Sequence, residues 1–149
     1  MARKHAVLSA SSAARWIACP PSARLNAEQS DTPSEYAAQG TDAHTLCEYK
    51  LRKALGKRVR DPTKKLSSYD SEMEECAEFY AQFVMGLVAQ FREESKDTMV
   101  SVEQRVDFSA FVPDGFGTAD TLIISGKKVC IVDYKHGKGI EVSADHNPQ

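Results

Sequence analysis

GTADTLIISGKKVCIVDYK, Gly117 to Lys135, holds two apolar runs on either side of a tight-turn signal, and its reading decides the fold. Gly126-Lys127 suits a two-residue type II′ turn, with glycine at the left-handed first position. Ser125 then opposes Lys128. Counting outward, Ile124 meets Val129, Leu122 meets Ile131 and Asp120 meets Asp133. Directly opposed side chains on one face lie about 4.5–5.5 Å apart at Cβ. Lys135, two residues beyond Asp133, shares that face. Like charges facing each other across an apolar hairpin are destabilising, which leaves two readings. Either a divalent cation joins the carboxylates, whose hard oxygens suit Mg²⁺ or Mn²⁺, or the register slips and Asp133 pairs with Lys135 or Lys138 in solvent.

Upstream of the hairpin the hydrophobic period is also 2. Val100, Val102, Gln104 and Val106 alternate with Ser101, Glu103 and Arg105, which predicts a strand. Glu103 then lies opposite the valines and reaches the aspartates if the meander is sequential; otherwise it is an exposed polar residue. Pro113-Asp114-Gly115 is a turn. Before Asp97 the period is 3.6. Met73, Cys76, Ala77, Tyr80, Phe83, Val84, Leu87, Val88 and Phe91 mark a long helix opened by a Ser71/Glu74 capping box. Thr41 is the expected N-cap of another helix carrying Ala43, Leu46, Cys47, Leu51, Ala54 and Leu55, which Gly56 stops. His44 and Glu48 share one face of it. Further upstream, SASSAARWIACPPSARL breaks into two short helical pieces at Cys19-Pro20-Pro21, with Trp16 as a core anchor. Helices followed by a three-stranded meander predict an α/β domain with a mostly antiparallel sheet.

The 149 residues fit a single domain with a real core. A net charge of −2 excludes a generally basic nucleic-acid binder, so contact with DNA has to come from a local patch. One is present: residues 50–65 hold eight Lys or Arg and a single acid, Asp61. The segment is either a solvated helix end or a phosphate-contacting edge built from Arg52, Lys53, Lys57, Arg58 and Arg60. No apolar run approaches the roughly 18 residues of a membrane helix, and the N-terminus lacks a secretory apolar segment, so a cytoplasmic location and no membrane partner are expected. Cys19, Cys47, Cys76 and Cys130 form no zinc spacing. Gly137 to Gly139 lacks the spacing of a nucleotide phosphate loop.

GTADTLII followed by VCIVDYKHGKG resembles the core of the PD-(D/E)XK nuclease superfamily, nearest to the RecB-like and AddB-like exonucleases of phage and prophage. SASSAARWIACPPSARL, SEYAAQGTDAH and the terminal NPQ are similar to further elements of that group, so the resemblance runs through most of the chain. It implies a restriction-endonuclease-like core and hydrolysis of DNA phosphodiester bonds with Mg²⁺ or Mn²⁺. In this sequence His44, Asp120 and Asp133 would hold the metal, with the Tyr134 carbonyl completing the set and Glu103 as a further carboxylate. Lys135 would be the catalytic lysine. Gln149 would belong to the last motif, whose tyrosine is absent here; Asn147-Pro148-Gln149 reads as a helix just beginning, so an N-terminal fragment of a longer protein is expected. DNA is the expected partner, with a phage recombination or single-strand annealing protein beside it. Some such nucleases hold an iron–sulfur cluster on one early and three late cysteines. Cys19 matches the early one and no late trio exists, so no cluster is expected. The alternative is a DNA-binding or recombination-partner module that keeps the fold without the chemistry.

Overall fold

The computed structural model describes residues 6–27 and 35–137, and they fall into two compact units. Among the described residues, no helix is long and apolar enough to cross a membrane.

The first unit takes in the N-terminal helices and residues 105–118. A 3-10 turn, Ala10–Ser12, leads into α1 (Ala13–Ala18), and α2 (Pro21–Ala27) follows. Pro21 opens α2 at a position where a missing N–H is tolerated. Trp16 donates its indole N–H to the Ser9 carbonyl at 2.9 Å. Around the Pro113-Asp114-Gly115 turn, the Gly115 N–H bonds the Val112 carbonyl at 2.8 Å and the Phe108 N–H bonds the Gly115 carbonyl at 3.0 Å. A Cβ on Gly115 would meet the Phe108 ring at 2.6 Å, so only glycine fits there.

The second unit holds the long helices and most of the sheet. Helix α3 spans Glu35–Ala54 and α4 spans Ser71–Glu94. The N-cap of α4 is Asp70, whose carboxylate accepts the Met73 N–H at 2.7 Å. The expected cap, Ser71, is instead the first helical residue. An ionised acceptor aligned with the helix dipole makes the stronger cap. Helix α3 also starts earlier than Thr41. Gly40 is absorbed into it, and the Thr41 hydroxyl bonds back to the Ala37 carbonyl at 2.9 Å. At its far end Gly56 does stop the helix, at φ 76°. The Lys57 N–H reaches the Arg52 carbonyl and the Gly56 N–H the Lys53 carbonyl, at 2.9 and 3.0 Å, which together satisfy the last turn.

Helix α3 packs on α4, and the core between and beneath them is built from Ala43, Leu46, Cys47, Leu51, Met73, Ala77, Tyr80, Val84 and Val88 with Val102 and Ile123 from the sheet. Lys50 of α3 pairs with Glu74 and Glu78 of α4. All four cysteines are free thiols, and burial pushes that of Cys47 up to about 12.

Strands β1 (Met99–Asp107), β2 (Phe116–Ser125) and β3 (Lys128–Val132) form one sheet in the order β1-β2-β3. β2 and β3 are antiparallel in the expected register: Ser125 opposite Lys128, Ile124 opposite Val129, Leu122 opposite Ile131, and Thr121 opposite Val132 at the last step. Gly126 takes φ 56°, and Lys127 is not among the residues of positive φ, as a type II′ turn requires. Thr121, Ile123 and Ser125 are buried, while Val129 and Ile131 on the other face are 64% and 60% exposed. The inward polar residues are satisfied. The Tyr80 and Thr121 hydroxyls lie 2.8 Å apart, and the Ser125 hydroxyl meets that of Thr98 at 2.8 Å, which ties the end of α4 to both strands.

This facing predicts an asymmetric response. Ile123→Ala should lower unfolding free energy by about 2–5 kcal/mol, and Ile131→Ala should change it by no more than about 0.5 kcal/mol. Urea denaturation of the two variants checks this, and equal losses would contradict the register.

Candidate metal centre

Three elements of the second unit bring His44, Glu103 and Asp120 together, with one ligand atom from each lying within 4.8 Å of the others. His44 is on the inner part of α3, one turn before Glu48, and its Nδ1 stands 3.3 Å from Asp120 Oδ2. Asp120 lies within β2, one step beyond the last residue that pairs with β3, and its side chain is 13% exposed. Its Oδ2 also accepts the backbone N–H of Tyr134 at 2.7 Å. That bond spans the place where the hairpin ladder ends, so Asp120 is held by the strand opposite as well as by its own.

Glu103 arrives by a different device. It has φ 54°, a left-handed conformation within β1 and a rare one for a side-chain-bearing residue. The strand's strict alternation breaks at this point: Val102 is buried, Glu103 half-buried, and Gln104 and Arg105 both exposed. A local kink of this kind re-aims a side chain and is over-represented beside functional sites. The expected face for Glu103 followed from uninterrupted period-2 geometry, which the kink removes.

The electrostatics are those of a crowded anionic site. Burial raises the Glu103 carboxyl above its ordinary value, and the Asp120 and Glu48 charges add to the effect. The hydrogen bond to Asp120 raises the His44 pKa. Burial opposes that, and the charges of Asp120, Glu103 and Asp133 support it. The protonated form of His44 is thus favoured over its ordinary balance by the acids around it, Asp120 at 3.3 Å foremost.

The remaining expected residues are placed as follows. The ladder ends at Thr121 and Val132, one step short of the expected Asp120–Asp133 pair; the Asp133 carboxylate turns to Lys135, Oδ2 to Nζ 2.7 Å, and it is outside the cluster. Both partners are about half exposed. Tyr134 meets Asp120 through its N–H. Arg52 pairs with Glu48 at 2.9 Å and donates to the Val102 carbonyl at 3.2 Å, so its guanidinium braces the strand beside Glu103. Lys53 lies over the Tyr49 ring at 5.7 Å. Lys57, Arg58 and Arg60 are exposed. Gln149, the helix start at Asn147-Pro148 and the end of the glycine pair at Gly139 lie outside the described residues. Sequence reasoning missed the Tyr80–Thr121 bond beneath the site; its one signal was a threonine at an inward position of an apolar strand.

An α/β protein with helices before a three-stranded antiparallel sheet, and a carboxylate–histidine cluster at the mouth of its hairpin, is the class defined by these observations. Over residues 5–149 the chain matches the family described as Protein of unknown function (DUF2800), and it belongs to that family. No solved structure matches it.

Two predictions follow from the geometry. Glu103→Gly removes a left-handed side chain and one of two crowded acids, so metal-free protein should be stabilised by about 0.5–1 kcal/mol. Mn²⁺ affinity, measured by calorimetric titration, should fall in the same variant. The second concerns pH. Because the folded His44 pKa is raised, the stability it contributes is full below about pH 6.5, the unfolded value, and is lost as pH rises through the folded value. Denaturation midpoints of chelator-treated protein should decline across that window, and Asp120→Asn should flatten the decline.

Proposed function

We propose that this chain carries a divalent-metal-dependent deoxyribonuclease centre on a restriction-endonuclease-like core, hydrolysing DNA phosphodiester bonds as RecB/AddB-like phage exonucleases do. One observation carries the reading: His44, Glu103 and Asp120 converge from a helix and two strands next to an Asp-x-Lys pair at a hairpin mouth. The donors fit the ion. Two carboxylate oxygens and an imidazole nitrogen suit Mn²⁺ or Mg²⁺, with no thiolate in the set. Burial first, and then the charges of Asp120 and Glu48, raise the Glu103 carboxyl, and a cation would relieve both.

When bound, such an ion supplies Lewis acidity and an activated water. The residues supply the rest. His44, Glu103 and Asp120 hold the ion. The Lys135 ammonium, on exchanging Asp133 for a phosphate oxygen, stabilises negative charge developing there. Asp133, released by that exchange, is left on the face it shares with Asp120. Lys57, Arg58 and Arg60 give salt-sensitive, sequence-independent contact with the DNA backbone.

A second reading, a DNA-binding module without chemistry, is favoured by the Asp133–Lys135 contact itself, since at 2.7 Å it keeps both groups from the cluster. Incubation with linear single- and double-stranded DNA separates the two. With Mn²⁺ we expect cleavage that a chelator abolishes, and that Asp120→Ala and Lys135→Ala each slow at least about a hundredfold. DNA binding with no Mn²⁺-dependent cleavage would overturn the nuclease and leave the module. Cleavage indifferent to both substitutions would refute the residue assignment.

A further inference from the structure

We infer that Tyr134 is the positioning residue of this centre, a single side chain whose packing sets the orientation of both Asp120 and His44. The inference rests on the metal-centre part of the reading above, though not on any nuclease activity. The β2–β3 ladder ends at Thr121 and Val132, so no ladder bond holds residue 134 in place. Its aromatic ring does so instead. The Tyr134 ring meets the Tyr80 ring edge-on, centroids 5.3 Å apart, and its hydroxyl is 2.9 Å from His136 Nδ1. Thus anchored, Tyr134 acts in two directions. Its backbone N–H holds Asp120 Oδ2 at 2.7 Å, and its ring stands at 84° to the His44 imidazole, centroids 5.7 Å apart.

The contacts close on themselves. Asp120 is bonded through the chain to Thr121, Thr121 to Tyr80 through their hydroxyls, Tyr80 to Tyr134 by ring contact, and Tyr134 back to Asp120 by its N–H. Every link is buried or half-buried and fixes the next. Partners that orient metal ligands are commonly worth ten- to a hundredfold in affinity. Here the ring, rather than the hydroxyl, does the orienting.

Mn²⁺ binding followed by electron paramagnetic resonance, well below the melting temperature, tests this. Tyr134→Ala should weaken Mn²⁺ binding about ten- to a hundredfold, and Tyr134→Phe, which keeps the ring, should stay within about threefold of the parent. Val88→Ala, a core truncation far along α4, should lower the melting temperature without moving Mn²⁺ affinity. If Tyr134→Ala fails to fold, Tyr134→Leu takes its place with the same expectation. Unchanged affinity in Tyr134→Ala or its substitute, or a Phe variant as weak as the Ala variant, overturns the assignment. So does a Val88→Ala loss of equal size. A parent protein that binds no Mn²⁺ overturns it together with the metal centre. One that binds Mn²⁺ and cuts no DNA removes the nuclease reading and leaves Tyr134 in its role.

Discussion

A hairpin with one face in a core has no freedom of register, because a one-residue slip would exchange every inward side chain for an outward one. In this protein the turn at Gly126 sets that register, and the helical core enforces it through Thr121, Ile123 and Ser125. What lies at the mouth of the hairpin follows. Asp120 falls on the outward phase, one step past the last β2–β3 ladder pair, where His44 meets it at 3.3 Å. The inward residue beside it, Thr121, bonds Tyr80 and pins the same point from beneath. The site is therefore anchored on the buried core of the second unit, while its acids stand at the edge of it.

That placement has an electrostatic consequence. Glu103 and Asp120 are close enough to raise one another's energy, and neither can swing away: one is aimed by a left-handed backbone, the other gripped by a backbone N–H. The same acids raise the His44 pKa, and when protonated its ring offsets part of the repulsion. Strain in the backbone and crowding of like charge are both features that folding alone would remove. Their coincidence at one place is the strongest physical reason to read the cluster as functional.

The parts of this arrangement that sequence could reveal are those governed by local rules. The period of 2 in the hairpin, the glycine turn and the pairing of Leu122 with Ile131 all follow from backbone geometry, and the structure has them as expected. Helix caps were less legible. Asp70 and Ser71 are both good caps, and only the hydrogen bond to Met73 decides between them. The start of α3 was hidden because Gly40 looked like a boundary and is tolerated inside the helix. Glu103 was expected to reach the aspartates if the meander is sequential, and it does lie beside Asp120, but its left-handed backbone was not legible, since no residue near it signals such a turn within the strand. For Asp133 the sequence left a cation and a lysine partner both open, because a nearby ammonium competes with a cation for the same carboxylate, and the structure has the Lys135 pair.

Strand β3 carries one more implication. Among the described residues it is an outer strand of the sheet, and its outward face shows Val129 and Ile131. An apolar edge strand is a template for self-association unless charge blunts its ends. Lys127 and Lys128 stand at one end and Lys135 at the other. The lysine proposed to face the scissile phosphate is thereby also a gatekeeper of solubility. Replacing it with an apolar residue lowers the charge guarding that edge along with any chemistry, whereas arginine would preserve the guard and alter only the shape of the cation.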